Sequence, residues 1–194
     1  MRKTLKQLLK RALTLSTATF LIGCNSQSPQ AQSKQSPEAI SQPIIPIALK
    51  SAIEELRVMK IKVKDSAGVS KKEYGEDLAD LVNITQKAYG NPKALAAVKS
   101  AVEGHQLALK FWECDRAVGY EELHQCQDEV LKGVFAKYPD IEVQAKAAVA
   151  GENLPYISAG LDKDGMLQAI WDKTAQDTEA ALQVINPPPN PKES

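Results

Sequence analysis

The sequence predicts an all-α protein, an antiparallel helical bundle of about four long helices plus a short one. Three observations carry that expectation. No segment alternates apolar and polar residues cleanly at period 2, while apolar residues recur at helical spacing along most of the chain. Aromatic residues make up only 5% of the 194 residues, and β-branched runs are short. The punctuation between periodic stretches is the chemistry of helix ends, as at Ser70-Lys71-Lys72-Glu73 and Gly90-Asn91-Pro92.

The first helix is predicted over Ile47 to Lys64, with Leu49, Ile53, Leu56, Met59 and Val63 on one stripe. Asp65-Ser66-Ala67-Gly68 breaks it. Ser70-Lys71-Lys72-Glu73 has the capping-box form and starts a second helix. Its stripe is Tyr74, Leu78, Leu81, Val82, Thr85 and Tyr89. Gly90-Asn91-Pro92 ends one helix and begins the next: glycine closes, asparagine caps, and proline fits the first turn. The third helix carries Leu95, Val98, Ala101, Val102, His105, Leu109 and Trp112.

Gly119-Tyr120 is the expected break after it. A fourth helix starts at about Glu121 and carries Leu123, Cys126, Val130, Val134 and Tyr138. Pro139-Asp140 interrupts it, and Ile141 to Ala150 reads as a short helix. Gly151 to Asp164 reads as an irregular connection. Asp164 is then expected to cap a last helix, Gly165 to Ile185, faced by Met166, Leu167, Ile170, Trp171, Thr174, Thr178, Ala181 and Leu182.

The ends of the chain differ in kind from this middle. Residues 24–46 are dominated by Gln, Ser and Pro, which cannot bury enough surface to offset the entropy of ordering. They read as a disordered linker. A flexible tether of this length has a typical reach of roughly 25 Å. Residues 187–194 read as a Pro-rich disordered tail. The domain between them spans 47–186, large enough for one hydrophobic core.

Residues 1–23 are a signal peptide by their pattern. Arg2, Lys3, Lys6, Lys10 and Arg11 precede an apolar run from Ala12 to Ile22, with no acid before Cys24. The run is too short for a permanent membrane span. Leu21-Ile22-Gly23-Cys24 closes it and resembles the lipobox of bacterial lipoproteins. That resemblance implies cleavage before Cys24 and acylation of Cys24, palmitate being one such chain. Each buried CH2 adds about 0.8 kcal/mol, and two chains anchor stably. It implies a membrane-anchored lipoprotein of the cell envelope, facing the periplasm or the exterior. Asn25 stands where inner-membrane lipoproteins of enterobacteria usually carry Asp, which favours the outer membrane under that sorting rule. The chain as a whole also resembles small helical exported proteins of cyanobacteria and related bacteria. Gly68-Val69-Ser70 leading to Tyr74, then the Trp112 helix, carry that likeness, which implies no particular activity.

The full chain balances 24 basic against 24 acidic residues. Removing the leader takes five basic ones and leaves a net charge of about −5. A mildly acidic protein is a poor partner for nucleic acid or anionic lipid headgroups. The expected partners are therefore the membrane, through the N-terminal lipid, and another envelope protein.

Of three cysteines, acylation of Cys24 leaves Cys114 and Cys126. An exported pair meets an oxidising compartment and is expected to form a disulfide. A turn at Gly119-Tyr120 sets the two at similar heights on neighbouring helices. In one continuous helix they would lie about 18 Å apart, beyond bonding reach. The bridge and the helix break imply each other.

Little else reads as a site. His105 and His124 could join the cysteines as metal ligands, but no zinc spacing fits, and a disulfide removes both sulfurs. His105 falls on an apolar stripe, where a packed core histidine is the plainer reading. Asp162-Lys163-Asp164-Gly165 lacks the twelfth-position Glu of a calcium loop. Glu121-Glu122 and Asp128-Glu129 fit helix starts, where the dipole favours acids. No metal, cofactor or catalytic residue is expected. The leading functional expectation is a non-enzymatic, lipid-tethered helical module with an interaction or structural role. The alternative is a small-molecule or metal carrier with an interhelical pocket near His105, Trp112 and Trp171.

Overall fold

The computed structural model describes residues 45–64 and 69–185. The predicted signal peptide, Cys24, most of the predicted linker, the 65–68 break and the predicted Pro-rich tail lie outside the described residues. Those described form helices α1 (Ile47–Lys64), α2 (Lys71–Lys87), α3 (Pro92–Glu113), α4 (Tyr120–Lys137), α5 (Pro139–Ala148) and α6 (Lys163–Ile185). Short 3-10 turns at Cys114–Arg116 and Ile157–Gly160 complete the chain, with no strand among the described residues. The fold is the all-α bundle that the periodicity predicts.

Four helices, α1, α2, α3 and α6, make the bundle proper, and α3 against α6 is its largest interface. α4 lies along α3, and the short α5 folds back on α4. The core is a single cluster that runs from Leu49, Ile53, Leu56 and Met59 on α1 to Ile170 and Ala181 on α6. One end of the bundle gathers the α2–α3 turn beside the start of α1, where Gly90 lies against Pro46 and Leu49. The other end gathers the starts of α2, α4 and α6 around the end of α3. There Lys71 Nζ donates to the Trp112 carbonyl (3.3 Å), and Lys163 Nζ reaches the Asp115 carboxylate (3.2 Å).

The caps match the sequence chemistry, with three differences. Ser70 Oγ accepts from the Glu73 amide (3.1 Å), and Asn91 Oδ1 accepts from Lys93 and Ala94 ahead of Pro92. The reciprocal half of the predicted capping box is not made. Glu73 turns instead to Lys62, 3.3 Å away. The last helix begins two residues early. Asp162, not Asp164, is its cap, accepting from the Gly165 amide at 2.7 Å. Asp164 sits inside the first turn, where its charge still meets the dipole. Pro139 begins α5 rather than merely interrupting the chain, because its missing N–H costs nothing in a first turn.

α3 and α6 approach closely because of Gly104, where a Cβ would collide with Thr174 Oγ1 and the Tyr138 hydroxyl. A half-buried polar network borders that crossing. The Tyr138 hydroxyl donates to Asp177 (2.8 Å), as does Ser100 Oγ (3.1 Å). Lys137 Nζ donates to Ser100 Oγ (2.8 Å) and to Glu103 (3.1 Å). α3, α4 and α6 are thus joined by hydrogen bonds as well as by packing.

Cys114 and Cys126 form a disulfide with Cα atoms 5.6 Å apart. Two features break the helix between them. The 3-10 turn Cys114–Arg116 ends α3, and Gly119 (φ 119°) takes a conformation that side chains resist. The bridge closes a loop of 12 residues' separation, so replacing both cysteines with serine is expected to cost about 3 kcal/mol. A urea midpoint unchanged in the double variant would contradict this.

Candidate functional site

Besides the network at the α3–α6 crossing, two places in the described structure bring histidine together with hydroxyl and aromatic groups. The first is buried in the bundle. Tyr74 enters from α2, one turn after the Ser70 cap, and is only 1% exposed. Its hydroxyl lies 2.7 Å from His105 Nδ1 on α3 and accepts from Trp171 Nε1 on α6 at 3.1 Å. Trp112 stands beside them, its ring 5.6 Å from that of Trp171 and 6.0 Å from that of Tyr74. One nitrogen of His105 and the indole nitrogen of Trp171 converge on the Tyr74 hydroxyl, while Trp112 contributes its ring. His105, Trp112 and Trp171, predicted to line a pocket, are indeed together. Their own rings and Tyr74 occupy the space.

His105 Nε2 is buried and has no hydrogen-bond partner among the described residues. If Tyr74 donates to Nδ1, the orphan at Nε2 is an N–H. If Nδ1 donates to Tyr74, it is a lone pair. A second proton on the ring would add an unpaired charge in either case. Burial therefore pushes the His105 pKa down to about 4. The same burial pushes the Tyr74 phenol up, so both groups are neutral over the ordinary pH range.

The second place is the disulfide-braced end. His124 on α4 is half-buried, with Nδ1 3.0 Å from Ser158 Oγ. That hydroxyl donates to the His124 carbonyl at 3.3 Å. Asp128 accepts from the backbone amides of Ile157 (3.1 Å) and Ser158 (2.9 Å). This explains the 3-10 turn Ile157–Gly160: one carboxylate caps it from α4. Tyr120 meets the His124 ring edge-on at 4.4 Å, and Tyr156 is stacked at 6.2 Å.

A serine, a histidine and an aspartate therefore meet here, without the arrangement of a hydrolase. Asp128 holds the backbone of Ser158 rather than the His124 ring, and Ser158 is itself buried. His105 and His124 belong to separate clusters, and both remaining cysteines are in the disulfide. Among the described residues no group of three or more His, Cys, Asp or Glu is placed to hold a metal. No described helix is long and apolar enough to cross a membrane.

Sequence reasoning reached His105, Trp112, Trp171, Cys114, Cys126 and His124, but missed Tyr74 as a hub and Ser158 altogether. A usable signal existed for Tyr74: the stripes of the second, third and last helices all carry polar-tipped rings, and buried polar atoms need partners. Ser158 sat in a stretch with no period to read.

Compared with known proteins, the chain matches no family model, no curated protein and no solved structure.

Proposed function

We propose that the chain is a lipid-anchored helical module of the cell envelope, not an enzyme, which acts by binding another envelope protein. The observation that carries this reading is Leu21-Ile22-Gly23-Cys24 after a basic and then apolar leader. The Gln, Ser and Pro composition of residues 25–46 supports it, since such a segment suits a tether. So does a disulfide in a chain with an export-type leader. The test is fractionation of cells that make the full chain. The wild type is expected in the membrane fraction, with a mature N-terminus at an acylated Cys24. Cys24→Ala is expected to abolish acylation and that cleavage. A mature N-terminus elsewhere, or a free Cys24 thiol in the membrane-bound protein, would overturn the anchor.

A second reading, a small-molecule carrier, draws on one further feature. An open groove of about 440 Å³ runs between α2 and α3, lined by Val82, Thr85, Ala88, Lys99, Val102 and Gln106 among others. Thr85 Oγ1, buried beside it, has no hydrogen-bond partner among the described residues. A thermal-shift screen with small amphiphilic carboxylates would decide it. A rise in Tm that is lost in Val102→Glu would favour the carrier, and a flat screen would remove it.

A further inference from the structure

The disulfide-braced end exposes an apolar patch that the fold holds still. Val118 is 90% exposed and Tyr120 57% exposed, the highest pair of exposures among large apolar residues so close in sequence. Tyr120 is packed on His124, His124 is held by Ser158, and Ser158 by Asp128. Tyr156 flanks the same imidazole, and Leu154, also exposed, precedes it by two residues. The bridge between Cys114 and Cys126 fixes the turn on which Val118 stands. Tyrosine-rich, charge-poor surface that is already ordered is what the centre of a protein interface requires, because little side-chain entropy remains to be lost on binding.

The rim specifies the partner. The cations that flank the turn lie against acids: Arg116 pairs with Glu113 (3.4 Å), and Lys71 and Lys163 share the single carboxylate of Asp115 (3.9 and 3.2 Å). Glu121, Glu122 and Asp164 are exposed and join no ion pair among the described residues. Glu113, Asp115, Glu121, Glu122 and Asp164 outnumber Lys71, Lys110, Arg116 and Lys163, so the formal charge at this end is negative. That charge repels anionic lipid headgroups and a second copy of the same end. It attracts a basic surface and fixes its orientation. The patch also lies at the end of the bundle opposite Pro46, which leads into α1.

We infer that the turn carrying Val118 and Tyr120 is the docking surface of this module, and that its occupant is a protein surface with an apolar centre ringed by lysine and arginine. This rests on the binding-module reading above. The experiment places a photoreactive benzophenone amino acid in the full chain, in its own cells, at Val118, at Ile61 on α1 or at Val143 on α5. The expected result is a protein adduct from position 118 alone, joined to a segment rich in lysine and arginine. The purified partner is then titrated against the full chain. Raising salt should weaken binding, and Glu121→Lys with Glu122→Lys should weaken it about tenfold or more. An adduct from 61 or 143 but not 118 overturns the docking surface and leaves the module reading standing. So does an adduct at 118 to lipid, to a second copy or to an acidic segment. Protein adducts from none of the three positions overturn both.

Discussion

Gly104→Ala is expected to destabilise the bundle by about 3 kcal/mol, although the same exchange normally favours a helix by roughly 0.5–1 kcal/mol. The sign turns on what the new methyl meets. It would collide with Thr174 Oγ1 and the Tyr138 hydroxyl, and neither can step aside cheaply. Thr174 is fully buried and donates to the Ile170 carbonyl at 2.9 Å. Tyr138 is held by Asp177 at 2.8 Å. The helices must separate instead, along the largest interface in the fold. Gly75→Ala is the internal control. Its methyl would meet only the end of Leu109, at 3.7 Å, so it should stabilise the protein. Thermal melts of the two variants should move in opposite directions, Gly104→Ala falling by roughly 10 °C. Thr174→Ala in the same chain should return part of that loss, because the two changes share one contact. A Gly104→Ala protein that melts at or above the wild type would refute this account of the α3–α6 crossing.

Acid should weaken the fold through His105. Its native pKa is about 4, lowered from an ordinary 6.5 by burial. Between those values the unfolded chain binds a proton that the native ring refuses. Unfolding is therefore favoured as pH falls through that window, and the effect is complete below about 4. The expected loss between pH 7 and pH 4 is about 3 kcal/mol from this one residue. Carboxylates titrate over part of the same range, so the informative quantity is a difference. His105→Gln should be less stable than the wild type at pH 7, since it disturbs the Tyr74 contact, yet its stability should fall less steeply towards pH 4. Urea midpoints for both proteins at several pH values would measure this. Parallel curves would mean that His105 is not the group responsible.

The parts of this fold that were legible in the sequence are those governed by local rules. α1 has the bounds its stripe predicts, Ile47–Lys64, and the Ser70 and Asn91 caps stand where their residue types place them. The disulfide followed from two cysteines and one break. What sequence reading missed depends on partners distant in the chain. On α4 the predicted Val134 is buried, but the predicted Cys126 and Val130 are only partly so, and Gln127 and Leu131 are buried in their place. The bridge to Cys114 and the cap from Asp128 set that rotation, and neither is a property of α4 alone. Gly104 drew no notice in the third helix's stripe, yet it is the contact point between two helices. Tyr138 is buried as predicted, but its bond to Asp177, 39 residues away, has no local signature.

The dominance of the α3–α6 interface has a consequence for synthesis. A chain is made from its N-terminus, and α6 is the last of the described helices to emerge. Until it does, α3 lacks its main partner and Tyr74 lacks the Trp171 donor. α1, α2 and α3 can meet earlier through short turns, but they bury only part of the core. Contacts of high sequence separation therefore complete the structure, and the nascent chain stays loosely ordered until synthesis has passed Ile185.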